Sequence, residues 1–595
     1  MSNVIPLKTP LPPPLPKSSP PPLRVVDVLL RYLEAEGVRH VFGVPGGLLH
    51  PFFEALERSK TMRLIVPKHE EGGAFMADGF ARVSRRLAVC AGTSGPGATN
   101  MLTGVSCAFA DGVPLLVISG QVASHALGKG AAQETPREDM DIVAMFRPVT
   151  KYSAMVTSAP SLGHHLRRAL RLALTGRPGP VHLNIPVDLW EKPLEEEWFN
   201  PRTYRPETRT FDRQAVQRAV DLLLAAEYPV LLAGSGVFSA GAEEHLRALA
   251  ELLPARVATT PRAKGVFPEN DPRSLGILGV AGHRDARDTI LGPDVDVLMT
   301  VGASLNETTT FNWSPKFLPS EALIQVDIDA DRIGRNYPVD VPLVGDAQSI
   351  LVESVYHLHR RMREGTYPKS KWNGSAPLVR AHSRYEDGRL RTSNARPLTP
   401  QRWRTDLEEV LPKNAIIFSD IGGHMLFNMH HLCIGEGQRF VINLGFGSMG
   451  HGTIAPIGAA LAAEGRPVFA LVGDGCFAMQ GMDLLTAVEY DAPVCWIVEN
   501  NNMHGITWHC SKILGHGTAF ESIRYRRPLE VAAIARAMGM PSWVVDAPGR
   551  LQEAVREALK RGGPSLIEVR VDPEIVPPLG ERMKSLAGFI EVERP

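Results

Sequence analysis

At 595 residues the chain exceeds what one hydrophobic core normally supports, and three domains is the expected count. Hydrophobic residues make up 44% and charged residues 22%, and 64 Lys plus Arg balance 64 Asp plus Glu, so nothing general draws the chain to nucleic acid or to an anionic membrane. No apolar run reaches the roughly 20 residues that span a bilayer, and the six cysteines form no CxxC pair, which points to a reducing compartment and by default the cytoplasm.

Residues 1–23, "MSNVIPLKTPLPPPLPKSSPPPL", are proline-rich rather than apolar. They do not read as a secretory signal and are expected to be an extended, disordered arm, with a Pro-rich ligand role as the alternative. From residue 24 amphipathic helices alternate with short apolar strands: "VVDVLLRYLEAEGV", "HVFGV", "LLHPFFEALERS", "RLIVP", "HEEGGAFMADGFARVS", "LAVCAG", "ATNMLTGVSCAFADG", "PLLVISG". Alternation of this kind predicts parallel βαβ construction. The first block closes near residue 192. After a polar stretch, a second α/β block occupies 210–360. Residues 361–397 read as a linker, 398–575 as a third block and 576–595 as a tail. The first and third blocks are alike in size and both set a Gly-rich turn before a helix, consistent with an internal duplication.

The chemistry concentrates in "LVGDGCFAMQGMDLLTAVEYDAPVCWIVENNNMHG", residues 471–505. "RPVFALV" is a strand, "MDLLTAVEY" has helical spacing, and "PVCWIVE" is the next strand. Asp474 and Asn501, 27 positions apart, therefore end two parallel strands joined by one crossover. Such strands are often neighbours about 4.8 Å apart, and open α/β sheets bind ligands at their carboxyl ends. A carboxylate, an amide oxygen and a nearby carbonyl are hard ligands suited to Mg²⁺, whose octahedron phosphate oxygens and water complete. Gly473 and Gly475 allow backbone N–H groups to approach a diphosphate.

This stretch resembles the fingerprint of the thiamine diphosphate enzymes, GDG followed by NN, and within them the acetolactate synthase group. The resemblance implies three doubly wound α/β domains (pyrimidine, central and diphosphate), with Asp474, Asn501 and the Met503 carbonyl as Mg²⁺ ligands. "VPKHEEGGAFMADGFAR" is similar to the group's catalytic glutamate segment, which assigns Glu70 to hydrogen-bond the aminopyrimidine N1′; read alone, Glu70 would be a solvated charge at a helix start. "FGVPGG" brings Val44 and Pro45 to the cofactor, and "GTSGPGATN" brings Thr93, Pro96 and Asn100. "DIGGHM" contributes Gly422, Gly423 and His424, and "GFGSMGHG" Gly447 and Met449, the latter bending the cofactor. Around the metal turn, Gly473, Gly475, Cys476 (through its N–H rather than its thiol), His504 and Gly505 complete the cradle. Gln133 matches a second catalytic position. The resemblance runs from about residue 24 to 575.

It further implies a transferase or lyase that takes the aldehyde unit of a 2-oxo acid, pyruvate first, to a carbonyl acceptor. The site would be shared between the subunits of a homodimer or tetramer. Departures cluster on the acceptor side. Thr308 replaces an arginine, Ala132 a phenylalanine, and Cys510, with Trp508 nearby, a tryptophan; His125 and Glu134 are retained. Arg177, Gly234 and Gly236 match turns that carry FAD in the group, although "GSGVFSAG" is not GxGxxG, and an ordinary glycine turn is the alternative. The competing functions are a 2-oxo acid decarboxylase or lyase without ligation, and a non-enzymatic regulatory homologue. The latter would be expected to lack Glu70, Asp474 or Asn501, and all three are present.

Overall fold

The computed structural model describes residues 23–137, 140–194, 199–205, 210–372, 383–513 and 521–580. The proline-rich arm up to residue 22, and the tail from residue 581, lie outside the described residues.

Three six-stranded parallel sheets follow one another along the chain. The first holds β1 (His40–Gly43), β2 (Arg63–Ile65), β3 (Ala88–Gly92), β4 (Leu115–Gln121), β5 (Ser153–Met155) and β6 (Val181–Pro186) in the order β2-β1-β3-β4-β6-β5. The second holds β7 (Val230–Ala233), β8 (Arg256–Thr259), β9 (Ser274–Ile277), β10 (Val297–Val301), β11 (Ala322–Asp327) and β12 (Val341–Val344). Its order, β12-β11-β10-β7-β8-β9, is the doubly wound arrangement of dinucleotide folds, with a switch point between β7 and β10. The third holds β13 (Ile416–Ser419), β14 (Arg439–Ile442), β15 (Val468–Gly473), β16 (Val494–Asn500), β17 (Ser542–Val545) and β18 (Ser565–Arg570), ordered β14-β13-β15-β16-β18-β17. That repeats the first sheet strand for strand, as a duplication would. Every residue of β4 and β16 is buried, as parallel strands covered by helices on both faces must be.

The first and third sheets are joined by two helices, α1 (Glu70–Ser84) and α2 (His451–Ala462). Their backbones touch. A Cβ on Gly79 would lie 2.0 Å from the Ala455 oxygen, and one on Gly458 only 1.8 Å from that of Met76, so neither position accepts a side chain as the helices stand. Beside this crossing the buried Asp78 takes a 2.7 Å hydrogen bond from His451 Nε2 and pairs with Arg82. Phe75, Met76, Ile454 and Trp496 share one apolar cluster, so the two blocks have a common core.

Part of the segment expected to be a linker is docked. The preceding helix runs to Arg363, and residues 383–392 lie between the second and third sheets. Arg384 donates to the carbonyls of Glu269 and Ser274 at 2.7 Å each, and Arg391 reaches Glu408 at 2.7 Å. Beneath them sit stacked imidazoles. His283 Nδ1 accepts from Ile277 N (3.0 Å), so its Nε2–H donates to the His430 carbonyl at 3.0 Å. His430 Nε2 accepts from Glu386 N (2.8 Å), so its Nδ1–H points at the Gly282 carbonyl, 3.1 Å away. Each ring is thereby fixed as one neutral tautomer, and burial holds His430 down at about 4.

An unfolded imidazole protonates near 6.5. Between that pH and about 4 the unfolded chain binds a proton that folded His430 refuses, so stability falls as pH drops through this window. Wild type should lose about 2 kcal/mol more than His430→Gln between pH 7 and pH 5, measured as a narrowing stability gap in denaturant titrations; a gap independent of pH would refute the coupling.

Candidate active site

The carboxyl ends of β15 and β16 create the site. In their register Gly473 faces Glu499, so the next residues of both strands emerge together at one sheet edge. Asp474 opens the short helix Asp474–Gln480, and its carboxylate is held by backbone alone: Oδ1 accepts from Gly475 N at 2.8 Å and Oδ2 from Asn501 N at 3.2 Å. Asn501 Oδ1 accepts from Met503 N at 3.2 Å, which ties the three expected metal-ligand residues into one turn. Burial pushes Asp474 up to about 7, with the nearby Glu499 charge adding to the effect of losing water.

The three consecutive asparagines have separate tasks. Asn500 turns inward and donates to the Leu529 carbonyl (2.7 Å) and to buried Glu568 (3.0 Å). Asn501 faces the cavity. Asn502 sits at φ 56°, a left-handed turn that asparagine tolerates, and accepts from Leu529 N at 2.9 Å. Across the turn Met503 bridges to Arg524, and His504 meets Tyr525 edge to face at 5.7 Å. The Tyr525 hydroxyl is buried without a protein partner, a feature no motif announced.

A cavity of about 230 Å³ opens here, lined by Gly422, Gly423, His424, Met449, Gly473, Asp474, Gly475, Cys476, Asn501, Met503, His504 and Gly505, among others. Thus almost every residue expected for the diphosphate end meets in one space. Gly447 is not among the lining, though its φ of 80° makes the turn that leads to Met449. A Cβ on Gly473 would lie 2.6 Å from His424 Nδ1, so glycine keeps the cavity floor open, and His424 Nε2 is buried with no partner. The Cys476 thiol donates to the Ile421 carbonyl at 3.1 Å, and burial raises its pKa far above that of a free thiol, which argues against a reactive cysteine.

Residues that sequence reasoning missed hold the frame. Buried Glu499 takes hydrogen bonds from Trp403 Nε1 (2.8 Å) and Arg404 Nη1 (2.5 Å), and Arg404 also donates to the His424 carbonyl at 2.9 Å. Asp420 accepts from Thr453 N (2.8 Å) and Gly450 N (3.0 Å), pinning the start of α2 to the end of β13.

The other expected set gathers on the first sheet. Glu70, half-buried at the head of α1, accepts from Asn100 Nδ2 at 2.9 Å. A Cβ on Gly97 would lie 2.8 Å from Thr93 Cγ2 and 3.3 Å from Glu70 Oε1; one on Gly46, beside Val44 and Pro45, would lie 2.5 Å from Thr93 Cβ. The Thr93 hydroxyl is buried and unpartnered. Pro96 starts the turn of helix behind Gly95, and Gln133, at φ 61°, lies 3.6 Å from where a Gly95 Cβ would be. Among the described residues, none of this group lines the Asp474 cavity of the same chain. His451, engaged with Asp78 between the helices, is not in the cavity either.

The acceptor-side residues stand elsewhere. Thr308 bonds Asn306 at 3.0 Å in a small cleft of the central domain, and Trp508 is buried, with Arg524 and Lys512 stacked on it at 4.1 and 4.6 Å. Ile506 and Thr507 take the places on the cavity wall instead.

Fold and site together define a class. Three thiamine pyrophosphate enzyme models match the chain: the N-terminal TPP binding domain over residues 23–145, the central domain over 216–353 and the C-terminal TPP binding domain over 420–569. A probable acetolactate synthase large subunit of Methanocaldococcus jannaschii is 32% identical over 594 residues, covering 96% of each chain. The acetolactate synthase isozyme 3 large subunit of Escherichia coli is 30% identical over 548 residues, 90% of this chain and 92% of the relative. An acetolactate synthase of Mycobacterium bovis is 33% identical over 491 residues, 81% and 76% respectively. The chain belongs to the thiamine diphosphate enzymes, in the group that contains these acetolactate synthases.

Because the Cys476 thiol is committed to a carbonyl, Cys476→Ala should leave thiamine diphosphate affinity within about threefold of wild type, a change under about 1 kcal/mol. Fluorescence titration with the cofactor measures this; a loss of binding would give the thiol a direct role.

Proposed function

We propose that this enzyme is a decarboxylating carboligase: it removes CO2 from a 2-oxo acid, pyruvate in the first instance, and joins the remaining aldehyde unit to a carbonyl acceptor. The observation that carries this reading is the convergence of Asp474 and Asn501 on one glycine-floored cavity at adjacent strand ends. The donor set fits Mg²⁺, because a buried carboxylate held only by N–H groups, one of them beside an amide oxygen, gains from a divalent cation that prefers hard oxygen ligands. Asp474, Asn501 and the Met503 carbonyl would hold that ion, and the unpartnered His424 Nε2 is free to meet a phosphate oxygen. When bound, thiamine diphosphate supplies a carbon nucleophile and a sink for the electrons that CO2 leaves behind.

Glu70 would hold or give a proton at the pyrimidine N1′. Asn100 fixes one of its oxygens, which leaves the other free for that contact. The buried, unpartnered Thr93 hydroxyl beside it supports a ligand at this spot, and Gln133 borders the same turn. Since the Glu70 group stands apart from the Asp474 cavity of its own chain, a second copy would complete each site, making a homodimer the smallest active unit.

The central domain supports an FAD or similar nucleotide. A cavity of about 460 Å³ lies over the β7–β10 switch point, lined by Gly236, Gly302, Arg177, Asp327 and Arg332 among others. There the backbones of Gly234 and Gly302 approach so closely that a Cβ on Gly234 would be 2.1 Å from the Gly302 oxygen. On the acceptor side, the absence of a guanidinium at residue 308 removes bidentate carboxylate recognition, about 1.5–3 kcal/mol, and favours an acceptor other than a second 2-oxo acid.

Purified enzyme with thiamine diphosphate and Mg²⁺ should release CO2 from pyruvate, and product analysis with added aldehydes or 2-oxo acids should identify the acceptor; no turnover with any 2-oxo acid would defeat the proposal. Glu70→Gln should bind the cofactor normally while slowing turnover about 10²–10⁴-fold. Asp474→Asn should weaken Mg²⁺-dependent cofactor binding at least about tenfold. Unchanged values would remove either residue from its role.

A further inference from the structure

A second, smaller cavity of about 110 Å³ lies where all three domains meet. Arg82 and Arg85 reach it from the end of α1, Phe238 and Arg262 from the central domain, and Arg439 from β14. Three of the four guanidiniums are neutralised. Arg82 pairs with Asp78 and lies 2.9 Å from Asp111, Arg262 lies 2.7 Å from Asp111, and Arg85 lies 2.7 Å from Glu243. Asp111 also lines the cavity: its Oδ1 accepts from Arg262, and its Oδ2, 2.9 Å from Arg82 but without a hydrogen-bond partner, is held there by charge alone.

Arg439 is different. It donates to the carbonyls of Arg82 (2.6 Å) and Val83 (3.5 Å), its Nε is buried with no hydrogen-bond partner, and its guanidinium lies 5.0 Å over the Phe238 ring. Among the described residues no carboxylate is within ion-pair distance of it. Burial, then the field of Arg85 with those of Arg466 and Arg82, pushes it down to about 10, against the weaker pull of Glu243. Arg466 is likewise bonded only to carbonyls, those of Asn414 and Gly437. With the four lining guanidiniums set against Asp78, Asp111 and Glu243, the junction holds more positive charge than its carboxylates offset, and a guanidinium fork is suited to phosphate oxygens.

We propose that this three-domain cavity binds a phosphate group, gripped by Arg439 and by the Arg85 nitrogens that its pair with Glu243, made through Nη2, leaves over. At about 110 Å³ it has room for a tetrahedral anion. It adjoins the larger central cavity, with which it shares Asp111, Gly112, Pro178, Ser235, Ser239 and Arg262, so the phosphate can be free or carried by a nucleotide lying there. An anion in this place bridges the three domains and stabilises their arrangement.

Calorimetric titration of the full chain, in chloride buffer free of phosphate, tests this with inorganic phosphate and with ADP. One saturable phosphate site per chain is expected, weakened at least about tenfold in Arg439→Gln and in Arg85→Gln. Arg85, with 41% of its side chain exposed, carries the test if Arg439→Gln fails to fold. ADP binding more tightly than phosphate and competing with it identifies a nucleotide as the source; ADP binding no more tightly identifies free phosphate. No saturable binding of either, undiminished phosphate binding in Arg85→Gln, or ADP binding that phosphate does not contest would overturn the proposal.

Discussion

A carboxylate at the end of a fully buried parallel strand is the constraint around which the C-terminal domain is arranged. Asp474 has lost its water, and Glu499 contributes a second negative charge nearby. The chain answers with what the end of a β-strand can offer: N–H groups of the first helical residues and of the neighbouring strand's exit. Glu499 is prevented from adding a second uncompensated charge by Arg404, whose guanidinium simultaneously holds the first turn of the helix carrying His424. Remove that arginine and a buried glutamate is left beside Asp474, so the stability of the domain and the charge state of its cavity are linked through one side chain.

The repeated strand order of the first and third sheets has a mechanical consequence. Two copies of one α/β unit present two equivalent ligand edges, at the carboxyl ends of equivalent strands. One edge carries Gly92 to Asn100 with Glu70, the other Gly473 to Gly505. The helices that join the copies, α1 and α2, meet through glycines at atomic contact, so the two edges are held at a fixed separation and not by a compliant linker. The central sheet has another order and another ligand edge, which its own switch-point cavity occupies.

How far this was legible in the sequence depends on the range of the interaction. Asp474 and Asn501 could be brought together from spacing alone, because one βαβ crossover fixes the neighbour relation of its strands. Glu70 needed the family resemblance, since a glutamate at a helix start is common, and only Asn100, thirty positions on, distinguishes this one. Arg404, Glu499 and Asp420 escaped altogether. Arg404 and Glu499 are 95 positions apart and Asp420 is 33 from Thr453, and a buried ion pair leaves no periodic trace. The contacts of residues 383–392 were not legible either: a polar composition signals a linker, and says nothing of arginines and a tyrosine that dock through carbonyls and ring faces.

The departures on the acceptor side take on a different sense once their positions are known. Thr308 and Trp508 are not on the wall of the Asp474 cavity; one bonds within a central-domain cleft and the other is packed under two cations. Their divergence therefore leaves the diphosphate end unaltered: the glycines of the cradle are kept while these positions differ. In the homodimer proposed above, Glu70, Gln133 and Thr93 of one copy would join Ile506, Thr507 and Tyr525 of another around the 2-oxo acid. Of these, only the Tyr525 and Thr93 hydroxyls are buried and unpartnered, so a substrate arriving there finds hydrogen-bonding groups that the protein itself has left open.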